Sequence, residues 1–157
     1  MKKLLALLAL ALVSVATLPV QAASTTGTFD VTVNLTSKCE VVSAPTASFT
    51  YTSFQTSAAA FSSSFNVRCT NNLPISSIRL DDGASGVAAG LSQNYTDTVT
   101  NLGYTLTLSG VPTTGNGSNQ LVTLDGTMGP GQAGTCATAS CNNSGPGNKT
   151  RTITLAY

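Results

Sequence analysis

Apolar and polar residues alternate one for one in segment after segment of this chain, while helical signals are nearly absent. From Thr25 to Thr36 the alternation is unbroken. Gly27, Phe29, Val31, Val33 and Leu35 fall on one face, and Thr26, Thr28, Asp30, Thr32, Asn34 and Thr36 on the other. A period of two places successive side chains on opposite sides of a strand, so such a chain is committed to sheets. Phe65, Val67 and Cys69 share a face in Phe61–Cys69, and Tyr104, Leu106 and Leu108 alternate with Thr105, Thr107 and Ser109. Ile75 to Leu80 and Leu121 to Leu124 are short apolar candidates. At the C-terminus Arg151, Ile153, Leu155 and Tyr157 alternate with Thr152, Thr154 and Ala156.

Between these segments lie Asn71-Asn72-Leu73-Pro74, Asp81-Asp82-Gly83, Pro112 to Asn119, Gly129-Pro130-Gly131 and Cys141 to Asn148. Gly, Pro, Asn and Asp are the residues that tight turns require. Short strands, wet on one face and joined by such turns, predict an all-β antiparallel sandwich. With 157 residues and no visible linker or repeat, one domain is expected.

Composition narrows the function. The chain has no His, which removes the usual general base and the commonest metal ligand. A formal net charge of +1 and a charged fraction of 8% offer no basic patch for phosphates, so no nucleic-acid partner is expected. No metal or cofactor is expected either, and an enzyme is the weaker reading.

Residues 1–22 are read as a signal peptide: Lys2 and Lys3, an apolar run from Leu4 to Val13, then Val20-Gln21-Ala22 as the cleavage region. The run is shorter than the roughly 20 residues that span a bilayer. The mature protein is therefore expected outside the cytoplasm, without direct membrane insertion. In an oxidising compartment four cysteines imply disulfides. Three pairings are possible. The four-residue spacing of Cys136 and Cys141 favours a bridge between them, which leaves Cys39 with Cys69.

The two ends carry most of the information. An exposed, regularly alternating strand near a chain end is an aggregation hazard unless something covers it. It either pairs within its own sandwich or is donated to another copy by β-augmentation. Only Thr36-Ser37-Lys38 separate it from Cys39, which would anchor the body while the preceding residues swing free. Apolar alternation also reaches the last residue, Tyr157.

With these features, the run Gly27-Thr28-Phe29-Asp30-Val31-Thr32-Val33-Asn34-Leu35 before Cys39 resembles major pilin subunits of archaic chaperone–usher pili, the group related to the spore coat protein U domain. Phe65–Thr70, Ile78–Gly83, Asn101–Leu106, Gly126–Gly134 and Thr150–Tyr157 extend the resemblance over essentially the whole mature chain. The resemblance implies an incomplete immunoglobulin-like antiparallel β-sandwich completed by a donor strand from a neighbouring subunit. Residues 23–37 would be the donor segment and 38–157 the pilin domain. Gly27, Phe29, Val31, Val33 and Leu35 would enter the neighbour's groove, while Ile153, Leu155 and Tyr157 would lie on the final strand beside the chain's own groove. Implied partners are further copies of the chain, a periplasmic chaperone and an outer-membrane usher. The implied destination is a surface fimbria serving adhesion and biofilm formation. Cys39–Cys69 is similar to the family's bridge, whereas Cys136–Cys141 departs from its pattern.

The competing reading is a secreted or coat-like sandwich that closes on itself and binds a carbohydrate or protein through its loops. Other features are given local roles. Asp81-Asp82-Gly83 lacks the spacing of a calcium loop and is read as a turn. Asp97 and Asp125 are read as solvated carboxylates, and Tyr95, Tyr104 and Tyr157 as core edges. The sequons at Asn34, Asn94, Asn116, Asn142 and Asn148 are what a chain rich in Asn, Ser and Thr produces by chance.

Overall fold

The computed structural model describes residues 22–81, 91–143 and 150–157, together with the backbone pairing of 85–86. The signal-peptide reading, the Asp82-Gly83 part of one turn and the Asn148 sequon therefore fall wholly or almost wholly outside the described residues. The chain divides into two units, Met1–Asn34 and Leu35–Tyr157, and every assigned strand belongs to the second.

The strands are β1 (Cys39–Val41), β2 (Ala59–Cys69), β3 (Ser77–Leu80), β4 (Ser85–Gly86), β5 (Leu91–Thr96), β6 (Gly103–Ser109), β7 (Asn119–Met128) and β8 (Ile153–Ala156). They form a five-stranded sheet in the order β1-β2-β7-β6-β5 and a three-stranded sheet in the order β4-β3-β8. Every strand pairing is antiparallel. The described residues contain no helix. This is the all-β sandwich that the alternation predicts, with the sheet arrangement of an immunoglobulin-like fold.

The core follows from the alternation. Phe65 and Val67 of β2, Leu106 and Leu108 of β6, and Val122 and Leu124 of β7 point inward from the larger sheet to meet Ile78 and Leu80 of β3. Their opposite faces carry Ser, Thr and Asn, such as Ser92 of β5, hydrogen-bonded at 2.7 Å to Thr107 of β6. Burying each large apolar side chain contributes roughly 1.5–3 kcal/mol. The inward row of β7 is interrupted by Gly126, which pairs in register with Phe61. A Cβ there would run into the Phe61 ring and lie 2.7 Å from Cζ of Phe49. Its absence lets those two rings meet edge to face at 4.8 Å over β7.

At the other end of β2 the Cys39–Cys69 bond joins residues that are register partners across β1 and β2. Lys38 and Arg68 flank Glu40 there, with Lys38 Nζ 2.8 Å and Arg68 Nε 2.9 Å from its carboxylate. Their hydrogen bonds hold the Glu40 carboxyl below its ordinary value. Gly115 packs against this end. Its N–H donates to Leu73 O at 2.8 Å and its carbonyl accepts from Asn72 N–H at 2.8 Å. A Cβ at Gly115 would run into the Thr70 carbonyl and lie 2.6 Å from Cys69 Cβ. Because both neighbours are held by sheet and disulfide, Gly115→Ala is expected to destabilise the domain by about 1–3 kcal/mol, the usual range for overpacking. A urea titration showing an unchanged midpoint would contradict this.

The structure differs from the sequence expectation at one element. Thr25 to Thr36 reads as a strand, yet residues 22–37 are assigned to none. Alternation fixes which side chains share a face but supplies no hydrogen-bonding partner, and a ribbon becomes a strand only against an edge. Its apolar face is bare: Phe29, Val31, Val33 and Leu35 are 86%, 72%, 81% and 78% exposed.

Candidate functional site

Two sheet edges frame the site. β8 is the last strand of the smaller sheet and pairs only with β3 among the described residues. β1 is one of the two outer strands of the larger sheet. Asp81 N–H donates to Thr152 O at 2.7 Å, just before the register pairs Leu80–Ile153 and Ile78–Leu155. Backbone bonding groups alternate sides along an antiparallel strand. Those of Thr152 and Thr154 therefore face β3, and those of Ile153 and Leu155 face the open edge.

The seam between these edges is hollow. One cleft of about 530 Å³ is walled by Val41, Pro45 and Thr150–Ile153, and floored by the core residues Leu80, Leu106 and Leu124. A second, of about 350 Å³, continues past Phe49, Tyr51, Tyr104 and Met128 to Asp97 and Asn143. Ala47, Leu106 and Arg151 line both, so the two are halves of one groove. Side chains of the innermost core form its floor. Ile153 and Leu155 pack on that core yet remain only half-buried, whereas Ile78 and Leu80 of the adjacent strand are closed over. Beside β8 the described residues leave the sandwich without full cover.

Arg151 stands where the two halves meet. It shares a face with Ile153 and Leu155, but its guanidinium lies 4.3 Å from the Tyr95 ring centre and donates to Tyr104 Oη at 2.9 Å. Its Nη1 lies 3.6 Å from Asp81 Oδ2. The side chain thus buries its stem along the seam and ties the start of β8 to both sheets, a cation–π contact included. Burial first, and then the Asp81 carboxylate, push the Tyr95 phenol up to about 12. Tyr95 and Tyr104 stack at 5.4 Å as half-buried core edges. Tyr157 does not fit that expectation and is 54% exposed.

Asp97 corrects the sequence reading, which treated it as solvated. It is 3% exposed. Its Oδ1 accepts from Val99 N–H at 3.1 Å, Thr100 N–H at 2.7 Å and Thr100 Oγ1 at 2.8 Å, and its Oδ2 accepts from Asn143 Nδ2 at 2.7 Å. Burial alone would raise its pKa, but these donors outweigh burial and hold it below the ordinary carboxylate value. Asp125 sits on β7, away from that turn, so the two form no acid pair. No group of His, Cys, Asp and Glu among the described residues is placed to hold a metal ion.

The site residues singled out from sequence thus fall into separate places. Ile153 borders the groove and Leu155 packs on the core beside it, while Gly27, Phe29, Val31, Val33 and Leu35 lie exposed before β1, with open space around Gly27 where a Cβ would stand. Both disulfides, Cys39–Cys69 and Cys136–Cys141, are present. Sequence reasoning missed the 44–51 wall, the bridging role of Arg151 and the buried Asp97. Only Asp97 had a local signal: Asp-Thr-Val-Thr is a pattern in which Asp caps the N–H groups two and three residues on.

The chain matches the Spore Coat Protein U domain over residues 25–143, which takes in the exposed N-terminal segment and β1 to β7. Neither curated proteins nor solved structures gave a match. That match, over more than half of an all-β chain, places this protein in the Spore Coat Protein U domain family, the family of archaic chaperone–usher pilins, whose members are structural, surface-exposed or secreted proteins rather than enzymes.

Proposed function

We propose that this protein is a pilin subunit that polymerises by donor-strand complementation. The observation that carries the reading is the pairing of an uncovered groove beside edge strand β8 with an exposed alternating segment in the same chain. Gly27, Phe29, Val31, Val33 and Leu35 of one copy enter the groove of the next, where the backbone of Ile153 and Leu155 offers an unpaired edge. The inserted ribbon packs over the cleft whose floor is the already buried Leu80, Leu106 and Leu124, and covers the half-buried Ile153 and Leu155. One groove and one donor segment among the described residues of each copy give a head-to-tail interface, which makes a fibre when the rotation between copies does not close a ring.

In this reading residues 1–22 direct export, 23–37 are the donor segment and 38–157 the receiving domain. A periplasmic chaperone covers the groove until an outer-membrane usher exchanges it for the next subunit. The assembled product is a surface fimbria for adhesion and biofilm formation. Burial of Phe29, Val31, Val33 and Leu35 contributes on the order of 6–12 kcal/mol gross. Ordering about ten free residues at roughly 1–2 kcal/mol each opposes it. Backbone pairing with β8 and slow dissociation then decide how durable the joint is.

The deciding experiment is electron microscopy and sedimentation of the mature chain, with and without residues 25–35, each produced alongside a chaperone and usher. Fibres are expected from the intact chain, and only chaperone-bound single subunits from the shortened one. Equal fibre yield from both would overturn the proposal.

A further inference from the structure

The far half of the groove is closed by a loop that the sheets do not hold. After β7 the chain is well tied: Gln132 N–H donates to Tyr51 Oη at 2.9 Å, Gln132 Nε2 to Gly103 O at 2.9 Å, and Thr135 N–H to Thr100 O at 2.6 Å. From Cys136 to Asn143 no residue belongs to a strand. Among the described residues, two ties hold the loop beyond the long Cys141 Sγ contact to Thr135 O at 3.5 Å. The Cys136–Cys141 bond closes the loop on itself, and Asn143 Nδ2 reaches Asp97 Oδ2 at 2.7 Å. Cys141, Asn142 and Asn143 nevertheless form one wall of the 350 Å³ cleft.

The anchor is preset. Oδ1 of buried Asp97 is saturated by its own turn, which fixes the carboxylate and leaves Oδ2 to Asn143. The disulfide removes most of the conformations that Ala137–Ser140 would otherwise explore. Both cysteines of this bridge are exposed, whereas Cys69 of the other is buried in the sandwich. A bond placed in solvent packs nothing into the core; besides constraining the unfolded chain, it stiffens the wall it closes.

We propose that the Cys136–Cys141 loop, with Asn143 as its positioning residue, is a stiffened wall that sets how long the far half of the groove retains the inserted segment of a second copy. The inference rests on the donor-strand reading. Preorganisation is the physical cause: a wall already in its bound position loses no freedom when the segment arrives and offers no low-barrier route for it to leave.

The test follows release of a fluorescent peptide of residues 25–36 from the full mature chain made non-donating by Val31→Asp and Val33→Asp, comparing this otherwise wild-type parent with C136S/C141S, Asn143→Ala and a control on the exposed face of β2, Ser64→Ala. Both cysteines change together so that no free thiol remains, and Asn143→Ala retains the disulfide if the double variant folds poorly. Release is expected to be about tenfold faster for C136S/C141S and several-fold faster for Asn143→Ala. Ser64→Ala should match its parent, and release is compared below the melting range of the weakest variant, because losing the bridge or the Asn143 bond lowers the melt of the peptide-free chain. Equal release from all four overturns the wall while leaving the donor-strand reading intact. Failure of the parent to take up the peptide overturns both.

Discussion

Subunits carrying both Val31→Asp and Val33→Asp are expected to form no fibres alone and to shorten fibres when mixed with wild type. The two valines are half of the large apolar side chains on the donor face, so their loss removes roughly half of a gross 6–12 kcal/mol. Two carboxylates would also have to leave water for a groove floored by Leu80, Leu106 and Leu124, at several kcal/mol each without a partner. Donation is abolished. Reception is untouched, because the substitutions lie in Met1–Asn34 while the groove belongs to Leu35–Tyr157. A variant subunit therefore accepts a neighbour's segment and offers none, which stops growth at one end. At one variant in ten, mean length should fall to about ten subunits if the interface is head-to-tail. Electron micrographs of mixed fibres at several ratios measure this directly, and lengths independent of the ratio would show that these valines are not in the joint.

This asymmetry was partly legible before any fold was known. Alternation at Phe61–Cys69, Tyr104–Leu108 and Ile153–Tyr157 located β2, β6 and β8 because each carries several large apolar residues on one face. β5 escaped notice because Gln93 occupies the middle of its inward row, between Leu91 and Tyr95, and breaks the apolar repeat. β1 is only three residues long and has no period to read. The groove was harder still. One wall comes from Ala44, Pro45 and Ala47, small residues without periodicity, and its floor comes from three different strands. Pattern identifies which side chains face inward; only the arrangement of strands reveals where a cleft opens between them. Arg151 shows the same limit. Its place in the apolar row marked it as inward-facing, but its contacts with Asp81, Tyr95 and Tyr104 depend on residues far apart in sequence.

A chain in which residues 25–35 are moved from the front to a position after Tyr157, joined by a short Gly-rich linker, should become a stable monomer. The linker lets the transplanted segment turn back and run antiparallel to β8, as a hairpin strand does. The backbone of Ile153 and Leu155 then meets a partner within the same molecule. Tethering sets a local concentration in the millimolar range for a short flexible linker. If that exceeds the dissociation constant of the free segment a thousandfold, the folded state gains about 4 kcal/mol. For a domain of this size the gain corresponds to a rise of roughly 10–20 °C in the melting midpoint. The appropriate reference is the same chain lacking residues 25–35 altogether, which should melt low and aggregate without a chaperone. A transplanted segment carrying Val31→Asp and Val33→Asp should behave like that reference, separating the effect of the side chains from that of added length. Were the transplanted chain to melt with the reference, the groove beside β8 would not be where this segment binds. Ile153 and Leu155 would then need another explanation for being half-covered while Ile78 and Leu80 of the strand beside them are buried.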